Sequence, residues 1–174
     1  MFRRLLRSTL GVVLCAVLAS PAGSVIAARR QAAAPALTIA GDVRTPISLT
    51  PEELKGMPRT RVDLKGEDGR TTTYEGVLMG EILKRAGATL GSDLRGAALA
   101  TYVVASATDG YQVVFSIGEL DPTLTTNEII VADTIDGKPL NPAQGPLRLV
   151  APQDRRPARS VRMLDRIDVV RFRK

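Results

Sequence analysis

The chain has 174 residues, 44% of them hydrophobic and 24% charged, a composition that fits one globular domain and excludes a disordered or collagen-like polymer. It contains no His, no Trp and a single Cys, Cys15. Neither a zinc site of His and Cys type nor a Ser-His-Asp or Cys-His relay can be built from that set, so chemistry must rest on carboxylates, Arg, Lys, Tyr or a bound cofactor.

Arg3, Arg4 and Arg7 precede an apolar run from Leu10 to Ala19, and Val25-Ile26-Ala27 offers small residues for cleavage, the layout of a secretory signal. A membrane-spanning helix needs roughly 17 to 25 apolar residues, and Ser20, Pro21 and Gly23 interrupt this run. The expectation is a signal over residues 1–27, a flexible leader over 28–36 and a domain over 37–174. The mature protein is then secreted or periplasmic, with no transmembrane span. Cys15 leaves with the signal, so no thiol or disulfide remains and a hydrophobic core must supply the stability. Loss of Arg3, Arg4 and Arg7 lowers the formal charge from +6 to +3. Basic charge is concentrated from Leu147 to Lys174, nine basic residues against three acidic. That polarity implies an anionic small molecule or an acidic protein as partner. Nucleic acid is not expected in a secreted chain with so few stacking aromatics.

In chain order, Leu37 to Val43 alternates as a strand and Arg44 to Pro46 forms a turn. Thr50-Pro51-Glu52-Glu53 opens a short helix with a capping box, which Gly56 and Pro58 end. Arg61 to Leu64 and Arg70 to Tyr74 flank GEDG as a hairpin. Val77, Leu78, Ile82, Leu83 and Ala86 fall at helical spacing, closed by Gly87. Leu99 to Ala107 is β-branched and strand-like, and Asp109-Gly110 turns it into Tyr111 to Phe115. Ser116 to Glu119 is a second capping box opening one helical turn. Glu128 to Ala132 and Leu147 to Ala151 read as strands, with a turn at Asp136 to Pro139 between them. A short helix near Ser160 to Leu164 and a strand from Arg166 to Phe172 complete the order. Strands outnumber helices and several are hairpin-linked. The fold class is therefore α+β, with a mixed, largely antiparallel sheet core and short helices.

Four segments in this order resemble the molybdopterin-binding domain of sulfite-oxidase-like oxidoreductases. They are TYEGVLMGEILKRAG (Thr73 to Gly87), ATDGYQVVFSIGELD (Ala107 to Asp121), DGKPLNPAQGPLRLVAP (Asp136 to Pro152) and ARSVRMLDRIDV (Ala158 to Val169). The resemblance implies that family's fold and molybdopterin as cofactor. In its catalytic members a cysteine thiolate binds molybdenum, and here the corresponding loop, near Asp63 to Gly69, reads DLKGEDG. Its carboxylates are hard ligands where a soft sulfur is used. Glu67 or Asp68 is therefore expected to be a solvated hairpin tip and not a replacement ligand, and molybdenum is not expected. Arg7 also stands where a twin-arginine signal prefers an apolar residue, which favours export of the unfolded chain.

The stretch Pro152 to Arg166 holds the expected binding residues. Arg155, Arg156, Arg159 and Arg162 offer guanidinium forks to phosphate or carboxylate oxygens, and Ser160 is placed at a helix N-terminus that would add free amides. The resemblance assigns this segment to the pterin's phosphate end. Tyr111, with Asp109 before it, would line the pocket floor; the alternative for both is packing and turn-capping. No residue is assigned as catalytic or as a metal ligand. The functional reading is a non-catalytic anion-binding, pterin-binding or interaction module. The alternatives are a molybdenum oxidoreductase or its electron-transfer accessory with an unconventional ligand, and a scaffold that docks an acidic partner through its basic end.

Overall fold

The computed structural model of the chain describes residues 36–66 and 69–172. Residues 1–35, where the signal and leader are expected, Glu67, Asp68 and the last two residues lie outside the described residues. Ten strands, two short α-helices and four short 3-10 segments are described. They form the α+β architecture that the strand and hairpin signals predict.

One five-stranded sheet has the order β2-β1-β10-β5-β6, from β1 (Leu37–Gly41), β2 (Ile47–Leu49), β5 (Thr101–Ala107), β6 (Gln112–Ser116) and β10 (Leu164–Arg171). β1 and β10 run parallel, Thr38 beside Arg166 and Gly41 beside Val169, while the other pairs in this sheet are antiparallel. The second sheet joins β3 (Thr60–Lys65), β4 (Thr71–Leu78), β7 (Ile130–Ile135) and β8 (Lys138–Pro139), and β9 (Arg148–Val150) also pairs with β7.

β1 buries Leu37 and Ile39, and β6 buries Val113 and Phe115, the period of two expected of a sheet with one solvated face. These residues meet Met79, Ile82 and Leu83 of α2 (Met79–Arg85) and the Val77, Val131 and Leu149 face of the second sheet in one core. Each such side chain contributes about 1.5–3 kcal/mol on removal from water. The other face of the second sheet carries a smaller cluster of Val62, Tyr74, Ile130, Ala132 and Val150.

Local signals position these layers. At the start of α1 (Pro51–Lys55) the Glu53 amide donates to Thr50 Oγ1 at 3.2 Å, and the Thr50 amide donates to Glu53 Oε2 at 2.8 Å. Ser116 and Glu119 repeat the device ahead of a 3-10 turn at Ile117–Leu120. Asp136 and Gly137, at φ 47° and 75°, make the tight turn between β7 and β8, the left-handed pair that suits strand twist.

Three expectations change. β2 follows Pro46, where no strand is predicted, because Ile47 and Leu49 pair with Ile39 and Leu37. β4 runs on through Val77 and Leu78, which pair with Val131 and Ile130; the ladder to β7 outweighs helical spacing, and α2 begins only at Met79. Gly76 permits that ladder, since a Cβ there would lie 2.1 Å from the Val131 carbonyl oxygen. No helix covers Ser160 to Leu164. A single 3-10 turn at Pro157–Arg159 is followed by extended chain that bonds alongside β9. The Leu149 amide donates to the Val161 carbonyl at 2.8 Å, and the Leu164 amide to the Leu147 carbonyl at 2.9 Å. Those backbone bonds displace the helix.

The Arg59 guanidinium grips Asp133 with both prongs, at 2.9 and 2.6 Å, tying the entry of β3 to β7. Burial raises the Asp133 carboxyl pKa, but the Arg59 fork and the Thr134 hydroxyl outweigh it and hold the group below its ordinary value. A carboxylate depressed in the folded state stabilises it above the unfolded pKa of about 3.9, and that contribution is lost as pH falls through the folded value. Asp133→Asn is therefore expected to flatten the decline in stability below pH about 4, read from urea midpoints across an acid series. Gly76→Ala is expected to cost about 1–3 kcal/mol by forcing β4 away from β7, read from the same denaturation.

Candidate anion-binding site

The loop after β9 is fixed by Arg159. Its Nε and Nη2 donate to Asp154 at 2.9 and 2.7 Å, and Nη1 donates to Glu119 at 3.1 Å. The guanidinium also lies 4.5 Å from the Phe115 ring centre. These partners, Asp154 first, push its pKa above the ordinary arginine range despite burial. Arg159 is thus a clamp between the loop and the Ser116–Glu119 turn, and its donors are already engaged.

Tyr111, about half exposed, donates its hydroxyl to the Ala158 carbonyl at 2.7 Å and so joins the β5–β6 hairpin to the same loop. Asp109 accepts from the Tyr111 amide at 3.0 Å, a turn-capping role. Ser160 is buried at the C-terminal end of its 3-10 turn, where its hydroxyl accepts from the Ala151 amide at 3.2 Å. With no helix beginning there, the expected free amides at Ser160 are corrected to a structural hydroxyl.

Arg155, Arg156 and Arg162 are exposed. Arg155 lines a cleft of about 270 Å³ with Lys65, Gly66, Asp154 and Pro157. The structure therefore brings Tyr111, Arg159 and Ser160 together as a scaffold and leaves Arg155, Arg156 and Arg162 to meet solutes.

Arg148 is the residue that sequence reasoning missed. It is 6% exposed, on the face of the second sheet that also holds Tyr74. Its Nη1 donates to the Tyr74 hydroxyl at 2.8 Å and to Gln144 at 3.3 Å, and its guanidinium lies 5.0 Å from the Tyr74 ring centre. Its Nε has no partner, and no carboxylate pairs with it among the described residues. Burial pulls its pKa down, Tyr74 opposes that pull, and nearby Arg162 adds to it. A buried cation with an open donor has part of its charge and hydrogen-bonding capacity unanswered by the described residues. The signal in the sequence was a lone Arg in the otherwise apolar run Leu147 to Ala151.

Two sheets of this order define a domain with the sulfite-oxidase-like molybdopterin-binding fold. The profile of the oxidoreductase molybdopterin-binding domain family matches residues 25–174, and the chain belongs to that family. Among solved structures it is similar to the sulfane dehydrogenase SoxCD from Paracoccus pantotrophus, with a TM-score of 0.62 and 19% identity over 78% of this chain. It spans 38% of the length of that chain. No curated protein matches.

No group of three or more His, Cys, Asp or Glu side chains able to hold a metal ion occurs among the described residues, and none of those residues is a Cys. Asp63, in β3, accepts from the hydroxyl of Thr73, its partner across the ladder to β4, at 2.7 Å.

Removing the Tyr111 hydroxyl should loosen the loop without unfolding the domain. Tyr111→Phe is expected to cost about 0.5–1.5 kcal/mol and to speed hydrogen exchange at residues 154–160, read by mass spectrometry. Unchanged exchange there would mean that the Tyr111 bond does not hold the loop.

Proposed function

We propose that this chain is an exported, non-catalytic member of its family that binds the anionic end of a pterin or a similar small anion without ligating molybdenum itself. The observation that carries this reading is Arg148, buried with an open Nε, no carboxylate partner and Arg162 nearby. Arg155 and Lys65 line a cleft of about 270 Å³, and no thiol is available among the described residues. Among those residues no helix is long and apolar enough to cross a membrane. The signal-like N-terminus supports placing the protein outside the cytoplasm.

A molybdenum oxidoreductase is the second reading. Family membership supports it, and it requires a metal ligand from a partner chain or from residues outside those described.

The test combines elemental analysis with calorimetric titration of inorganic pyrophosphate and a pterin phosphate. The expected result is saturable binding by protein that carries no molybdenum after isolation from its native compartment. Arg148→Met should weaken that binding at least about tenfold while leaving the urea midpoint little changed, because an uncompensated buried charge is replaced by an apolar side chain of similar length. Stoichiometric molybdenum that survives dialysis, with turnover of an oxyanion or sulfoxide, would establish the second reading instead.

A further inference from the structure

The outer face of the five-stranded sheet carries apolar side chains in water. In β6, Gln112, Val114 and Ser116 alternate with the buried Val113 and Phe115 and so point outward. Val114 is 52% exposed. It pairs with Val104, and Tyr102 on the same face pairs with Val170 of β10; side chains directly opposite across a ladder are neighbours on one face. The pairing of β5 with β10 continues past Arg171, because the Phe172 amide donates to the Ala100 carbonyl at 2.9 Å. Among the described residues Phe172 is the most exposed large hydrophobic side chain, at 63%, and Leu99, beside Ala100, is 49% exposed. Neither lines the cleft beside Arg155 or the cavity next to α2, so both stand out from a surface instead of lining a hollow.

Charge gives this end of the sheet a sign. Farther along the outer face Arg166 and Asp168 neutralise each other through two bonds of 2.6 Å. Arg171 is paired with Asp42 at 2.6 Å. The unpaired charges that adjoin Phe172 and Leu99 in the chain are cationic. Arg95 is exposed at the start of the 3-10 turn Gly96–Ala100 that holds Leu99, and no ion pair engages it among the described residues. Arg173 and Lys174 follow Phe172 in the sequence. Asp93, the acid nearest to Arg95 in the chain, lines the cavity next to α2.

These features select the partner. Two copies meeting through this end would bring like charges together, so charge opposes self-association there. β1 runs parallel to β10 with Thr38 beside Arg166, so the chain enters the sheet at Ala36 on the end away from Phe172. A protein partner would need a pocket shaped for the Phe172 ring, whereas a lipid layer conforms to it. Protruding apolar side chains flanked by cations suit an anionic lipid layer, with phosphates against the cations and the apolar groups at the acyl boundary.

We infer that the Leu99 and Phe172 end of this sheet docks on an anionic lipid surface. Phe172 and Leu99 enter the headgroup boundary, and Arg95, Arg173 and Lys174 face the lipid phosphates. The pterin reading plays no part in this inference.

The probe is a vesicle of equal parts phosphatidylglycerol and phosphatidylcholine, pelleted with protein isolated from its native compartment; pure phosphatidylcholine vesicles are the control. The expected result is partition onto the anionic vesicles at low salt, at least about tenfold weaker partition onto the neutral ones, and release near 0.5 M salt, roughly where screening is complete. Each cation at such a surface is worth about fivefold, so Arg173→Gln/Lys174→Gln should weaken partition by about tenfold or more. Phe172→Ser/Leu99→Ser should weaken it at least about tenfold and leave the urea midpoint in place, since both side chains are exposed. Arg155→Gln/Arg156→Gln, in the loop after β9, should change it by less than about twofold. Equal partition onto both vesicle types, binding that survives Phe172→Ser/Leu99→Ser, or a larger loss from Arg155→Gln/Arg156→Gln than from Arg173→Gln/Lys174→Gln would overturn the proposal. A lipid-free dimer in sedimentation equilibrium that Phe172→Ser/Leu99→Ser dissociates would overturn it too, by making this end an interface between copies.

Discussion

A guanidinium buried with no carboxylate partner among the described residues is the constraint on which the surroundings of β9 depend. Moving a charge out of water is costly unless hydrogen bonds or an opposite charge replace the lost solvation. Arg148 receives a phenol, an amide oxygen and an aromatic face, from Tyr74 and Gln144. These satisfy part of the fork and none of its charge. The surrounding fold keeps the arrangement in place: β9 is buried on both faces, and the segment after Ser160 is bonded along it. The Arg159 clamp holds the intervening loop against the Ser116–Glu119 turn. An anion entering there would complete a pattern that the protein has left incomplete.

Much of the fold was legible in the sequence because its signals are local. Both capping boxes, the Asp109-Gly110 hairpin and the Asp136-Gly137 turn are short-range chemistry that tertiary contacts did not overrule. The errors arose where long-range pairing decides. Val77 and Leu78 have helical spacing, yet the ladder from β4 to β7 claims them. Val161 follows an arginine-rich stretch with spacings that suit a helix, yet its carbonyl is taken by Leu149. The candidate site was read less well for the same reason. Arg155, Arg159, Arg162 and Arg166 share a face only if the chain is helical; instead Arg159 is bound to Asp154, Arg166 is bound to Asp168, and Arg155 and Arg162 remain exposed. Arg148 was overlooked because a lone charge inside an apolar strand reveals its meaning only when the neighbours across the sheet are known.

Within its family this chain keeps the architecture, and none of its described residues is a Cys. Anion recognition and metal ligation are physically separable. Recognition of a phosphate needs fixed donors in a partly dry place, whereas a redox metal needs soft ligands that tune its electronics.

The placement of β10 also governs the order in which the protein can be assembled. It lies between β1 and β5 in its sheet although it is last of the ten strands in sequence, so the first and fifth strands have no common neighbour until residues near 171 are available. A nascent chain lacking that segment would present two unjoined edges and an open core. Folding is thereby deferred until synthesis has passed the final strand, and the contacts that then close the sheet join residues more than a hundred positions apart, such as Thr38 and Arg166, which makes for slow and strongly cooperative closure.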